Sequence, residues 1–193
     1  MRFRISKRLG AWALVLVALA LCLGRAAWGQ GEQGAPEVYT ATAIASEGLS
    51  GSSGRISIRI AAYTTAAEKQ SLLAAFKRNP EDGLAMLRSM SKGYINIEGR
   101  PGRKIEAVFA RQGQQGRDLI VIGEHVASGL EEWRGVNAAE HPVAVVHLRF
   151  AADGTPLGGE IFPAVKLAVT ADGFLDVQTD ASNKITLFNI ARP

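Results

Sequence analysis

What most constrains this chain is a two-residue rhythm that keeps restarting. In VYTATAIA (38–45), Val38, Thr40, Thr42 and Ile44 alternate with Tyr39 and three alanines; in RISIRI (55–60), three isoleucines alternate with Arg55, Ser57 and Arg59. Successive side chains of a strand point to opposite faces, so this alternation belongs to half-buried strands. It returns in 94–98, 105–109, 119–125, 143–150, 160–170, 174–179 and 185–190, with turn signals such as EGLSGSSG, RPGR, RQGQQGRD, ADGTPLGG and DASN between. Short loops make neighbouring strands antiparallel. A long meander protects its edges by closing into a barrel or folding into two packed sheets. The expected fold is therefore mainly β: an antiparallel meander of about nine strands forming a barrel or sandwich. Pro163 lies inside one strand and cannot donate to a ladder, which places an edge or a bulge there.

Two short helices are expected after the second strand. Thr65 and Glu68 form a capping box ahead of Leu72, Leu73 and Phe76, and Asn79-Pro80 reads as an N-cap with proline at the first helical position ahead of Leu84, Leu87 and Met90. The segment NIEGRPGRK (96–104) follows. Its glycines and basic residues read as a hairpin turn centred on Pro101-Gly102, with Arg100, Arg103 and Lys104 solvated at the tip.

The first thirty residues differ in kind. A basic start (Arg2, Arg4, Lys7, Arg8) leads into AWALVLVALALCL, an apolar run of thirteen residues, and then to Ala27-Trp28-Gly29. This is the pattern of a secretory signal peptide, and the run is short for a membrane span, which needs about 20 residues. Cleavage is expected after Gly29, leaving a lead-in over 30–37 and one β-rich domain over 38–193. Leu21 precedes Cys22 where a lipoprotein signal needs a small residue, which argues against acylation. Loss of the leader removes five of 22 basic residues (Arg2, Arg4, Lys7, Arg8, Arg25) and none of 18 acidic ones, so the remainder carries net charge −1. The basic character of the whole chain thus belongs to the leader and does not point to nucleic acid. Cys22 leaves as well, and with it any disulfide or thiolate chemistry.

Motifs for phosphate, dinucleotide or zinc-hydrolase chemistry are absent from the sequence, as is a nucleophile elbow. GLSGSSG reads as a loop. His141 and His147 lie about 20 Å apart if one strand runs through both, too far to share an ion. Val146, Leu148 and Phe150 turn inward, which leaves His147 and Arg149 outside. Glu124, His125 and His141 offer the one rim at which a metal or hydrolase site could form, but ligands clustered at characteristic spacing are missing, so the histidines read as surface or rim imidazoles and no metal or catalytic residue is assigned. Glu131-Glu132 read as a solvated helical turn opened by Ser128, and Trp133 as core packing over that turn. No cofactor is implied. Charge segregates: residues 55–117 carry twelve basic and five acidic side chains, and 118–193 carry five and ten. An outer-membrane barrel is excluded, because Arg55 and Arg59 would face lipid.

The segments YTATA, AAYTTAAEKQSLL, FARQ, RDLIVIGE, EEW, HPVAVVHLRF followed by ADG, and KITLFNI together resemble a group of small secreted bacterial proteins of unknown function. The resemblance spans nearly the whole mature chain, implies one compact secreted domain and supplies no site. Three functional expectations stand. The leading one is an exported, non-enzymatic barrel that binds a small apolar ligand, resting on the room inside an eight-strand-class barrel and on the alanines of the first strand. The second is a cell-envelope module for an anionic polymer or lipid surface, and the third a hydrolase at Glu124, His125 and His141.

Overall fold

The structure, a computed structural model, describes residues 36–45, 52–113, 116–127, 143–170, 175–179 and 184–193. The expected leader with Cys22, most of the lead-in and of the loop EGLSGSSG, the turn with Ser128, Glu131, Glu132 and Trp133, and His141 lie outside the described residues.

Among the described residues, ten strands form one antiparallel sheet: β1 (Glu37–Ala45), β2 (Ser52–Ile60), β3 (Gly93–Ile97), β4 (Arg103–Ile105), β5 (Ala107–Gly113), β6 (Gly116–Glu124), β7 (Val143–Ala151), β8 (Pro156–Val169), β9 (Leu175–Thr179) and β10 (Ile185–Ala191). Helices α1 (Ala66–Arg78) and α2 (Pro80–Ser89) stand between β2 and β3, as the caps require. The order across the sheet is β4-β3-β2-β1-β10-β8-β7-β6-β5, and β9 pairs with β8 off this path. The two ends of that order, β4 and β5, are separated in the chain by Glu106 alone. One segment thus pairs with β3 on one side and β6 on the other, and the sheet is a nearly closed barrel.

The alternation through Ile105, Ala107 and Phe109 breaks at this seam. Ile105 and Val108 belong to the inner core, whereas Ala107 belongs to the outer one, so Glu106 shifts the phase. The chain changes neighbours there: the Lys92 amide donates to the Ile105 carbonyl at 2.7 Å, and the Glu106 amide to the Ile122 carbonyl at 3.1 Å.

Two cores follow from the alternation. Inside lie Tyr39, Ala41, Ala43 and Ala45 with Ile56, Ile58, Ile60, Ile95, Leu119, Val121, Val146 and Leu148. The alanine face of β1 is thus an inward face packed among bulky neighbours. Outside, Leu72, Phe76, Leu87 and Met90 of the helical pair cover Ala107, Ile122, Val143, Val145, Val165 and Leu167. His147 is half-buried and Arg149 exposed on the outer face, as alternation places them. Pro163 sits at a bulge where the register between β7 and β8 shifts; β8 pairs with β10 before it, through Ile161, and with β9 after it, from Val165.

The expected turn centre needs correction. The Arg100 amide donates to the Ile97 carbonyl at 2.9 Å, and Gly99 carries φ +77°. Glu98-Gly99 therefore makes the tight turn, and Pro101-Gly102 leads into β4. Either glycine could serve by composition, and Gly99 is the nearer to the end of β3.

Both N-caps form as read. Thr65 accepts from the Glu68 amide while Glu68 accepts from the Thr65 amide, and Asn79 accepts from the Asp82 amide at 2.7 Å. The Glu68 carboxylate also takes the buried Lys92 ammonium at 2.7 Å, fastening the start of α1 to the entry of β3. Among the described residues, no helix is long and apolar enough to cross a membrane.

Candidate binding site at the barrel mouth

The sequence pointed to the rim formed by Glu124, His125 and His141. His125 is exposed in the turn that ends β6, with φ +56°, and His141 lies outside the described residues. Glu124 is already engaged: Arg88 of α2 contacts both of its carboxylate oxygens at 2.7 Å, a two-point contact that ties helix to barrel. Among the described residues no three histidine, cysteine or acidic side chains are grouped to hold a metal ion.

The structure instead gathers four polar side chains at the opposite end of the barrel. Glu37 is the first residue of β1 rather than the last of a lead-in, and it points inward with Tyr39, Ala41 and Ala43. Arg117, on the inward face of β6 with Leu119 and Val121, stands in register with Phe150 of β7. Tyr63 lies just beyond β2, where its neighbour Thr64 is pinned to β5. The Val108 amide donates to the Thr64 hydroxyl, and the Thr64 amide to the Val108 carbonyl, each at 2.9 Å.

These groups meet across the interior. Arg117 Nη2 donates to Glu37 Oε1 at 3.3 Å and to the Tyr63 hydroxyl, while the Tyr39 hydroxyl donates to Glu37 Oε2. The guanidinium carbon stands 5.4 Å from the Tyr63 ring centre, within cation–π range, and the Tyr39 ring packs against Phe150 at 5.2 Å. Glu37 is 6% exposed, and the Arg117 side chain 23%. The ion pair joins β1 to β6, which are not neighbours in the sheet.

Electrostatics fixes the protonation states. Burial alone would raise the Glu37 carboxyl, but the Tyr39 hydroxyl, the Arg117 charge and Tyr63 outweigh it and hold Glu37 below the usual carboxylate range. Burial, then the bond to Glu37 and its charge, push the Tyr39 phenol up to about 12; burial likewise raises Tyr63. At neutral pH the cluster is thus one carboxylate, one guanidinium and two neutral phenols, with no net charge. One donor is left over: Arg117 Nε is buried and has no hydrogen-bond acceptor among the described residues.

No local motif announces this cluster, since its members come from four distant segments. A signal was nonetheless present in the alternation, where Glu37 and Arg117 are charged residues that fall in phase with inward apolar faces.

No family model matches the chain, and no curated protein and no solved structure matches it either.

Proposed function

We propose that the protein is an exported, non-catalytic barrel that binds a small, mostly apolar molecule at the mouth lined by Glu37, Tyr39, Tyr63 and Arg117. The observation that carries this reading is the unpartnered Arg117 Nε beside a charge-balanced, buried cluster at the end of an apolar interior. A buried donor without an acceptor costs about 1–3 kcal/mol, and an oxygen atom from a bound molecule relieves that cost. The charge balance selects the kind of oxygen. An anionic head would meet the Glu37 carboxylate, whereas a hydroxyl or carbonyl would not. The ligand class is therefore a neutral amphiphile with a single oxygen-bearing head. Non-catalytic action is favoured by the protonation states, because Glu37 is held down and both phenols are held up, so none is poised near neutrality to exchange a proton. Export rests on the composition of the first 29 residues.

The test is native mass spectrometry on protein purified from its own host, before and after denaturation, followed by titration with decan-1-ol and with decanoate. A small molecule lost on denaturation, and decanol bound about tenfold more tightly than decanoate, or about 1.4 kcal/mol, is the expected result. A bare chain that takes up neither probe refutes the reading.

A further inference from the structure

The first half of the domain is basic, and several of those charges are spent on partners. Arg88 pairs with Glu124, Lys92 with Glu68, Arg117 with Glu37, and Arg78 with Asp82 at 3.5 Å. Lys104 turns its ammonium to the Arg88 carbonyl at 2.6 Å and lies 3.6 Å from Glu106. Arg55 and Arg59 are different: both are exposed on the outward face of β2. Their guanidinium groups make no ion pair with the described residues.

The face around them is laid out in rows by strand register. Val38, Arg59 and Tyr94 stand side by side across β1, β2 and β3; Thr40, Ser57 and Asn96 form the next row; Thr42 and Arg55 form a third. Tyr94 is 55% exposed beside Arg59. The helical pair covers the other side of the barrel, over residues of β5 to β8. No outward strand position of β1, β2 or β3 in these rows is acidic, but Glu98, in the turn, continues the third row: its amide donates to the Arg55 carbonyl at 2.9 Å, which sets it opposite Arg55. The two arginines are four residues apart, about 13 Å along the strand.

We infer that this face binds an anionic polysaccharide. Each guanidinium offers a planar fork to a carboxylate, sulfate or phosphate. Between the two forks the side chains are hydroxyls and an amide, which suit sugar hydroxyls, and Tyr94 offers a flat ring beside one fork. A lipid surface fits less well. The exposed aromatics Tyr94 and Phe188 lie on β3 and β10, three strand spacings or about 14 Å apart, with polar rows between them. They form no continuous apolar patch to insert. This site is separate from the mouth, and the two readings stand or fall independently.

The test uses polygalacturonate and dextran sulfate as probes, neutral dextran as a control, and vesicles containing anionic phosphatidylglycerol, at about 0.01 M ionic strength, where the screening length is about 30 Å. Binding to both charged polymers is expected to weaken steadily with salt. The double variant Arg55→Glu/Arg59→Glu should lose about tenfold or more in affinity, and Tyr94→Ala a smaller factor, each with an unchanged circular dichroism spectrum. Arg149→Glu/Lys166→Glu makes the same change in net charge at exposed sites on other strands and should bind within a factor of about two of wild type. Absence of binding to both charged polymers overturns the inference. So does equal loss in the two double variants, which would mean a diffuse charge effect, or equal binding to neutral dextran. Tighter binding to the vesicles than to either polymer would overturn it in favour of a membrane surface.

Discussion

The main-chain amide of Glu124 donates to the Glu106 carboxylate at 3.0 Å, so the end of β6 is held by the residue at which the barrel seam changes phase. Glu106 is 4% exposed, and burial pushes its carboxyl up to about 7 against the pull of the Lys104 ammonium and the Glu124 amide. The folded state therefore keeps a proton that the unfolded chain gives up near pH 4.5. The stability this proton confers is complete below about pH 4.5 and is lost as pH rises through 7. At about 1.4 kcal/mol per pH unit the loss amounts to about 3 kcal/mol. Glu106→Gln keeps an oxygen for the Glu124 amide and removes the titration. Urea unfolding at pH 5 and pH 8 should show wild type weakening and the variant nearly level, with the variant the more stable at pH 8. An equal decline in both would show that Glu106 is not the titrating group.

Gly123 faces the same carboxylate. A Cβ there would come within 2.2 Å of Glu106 Oε2, 2.5 Å of Val126 Cγ1 and 3.0 Å of the Lys104 carbonyl. The last of these is backbone at the seam and cannot swing aside. Gly123→Ala is expected to cost about 1–3 kcal/mol by overpacking, read as a fall in the urea midpoint. A variant as stable as wild type would show that the seam has slack.

At the mouth, removing one charge strands the other. Glu37→Gln should cost about 3 kcal/mol, because the Arg117 guanidinium stays largely buried without its counter-charge. Replacing both, as Glu37→Leu/Arg117→Met, should recover most of that loss while abolishing decanol uptake. Wild-type uptake by the double variant would separate ligand binding from this cluster.

The start of α1 offers a smaller and cleaner effect. Thr65→Ala removes the acceptor of the Glu68 amide and should cost about 1 kcal/mol, whereas Thr65→Ser should be close to neutral. A serine variant as weak as the alanine one would assign the effect to methyl packing instead of capping.

How much of this was legible beforehand depended on distance along the chain. The strands, the two caps and the bulge at Pro163 were written locally, because alternation, a Thr-x-x-Glu spacing and a missing amide proton act within a few residues. The choice between barrel and sandwich was not local, since it rests on β4 and β5 sharing one segment and on β1 finding β10. The turn centre was misplaced because both Gly99 and Gly102 suit a turn and only register chooses between them. The engagement of Glu124 was equally non-local: nothing in residues 124–125 tells that Arg88, thirty-six positions earlier, already holds the acid. The mouth was hidden by segment boundaries, with Glu37 assigned to a lead-in and Arg117 to a solvated turn, although their phase marked both as inward.

The pairing of β1 with β10, Ile44 opposite Thr186, also dictates when the barrel can be completed. About 140 residues of synthesis separate those two strands, and contacts so remote in sequence form late and slowly. Until β10 emerges, a nascent chain carries β1 with one unsatisfied ladder and the alanine and isoleucine faces of β1 and β2 open to water. Such an edge invites pairing with other chains. A protein wired in this way is best kept unfolded until its last strand is available.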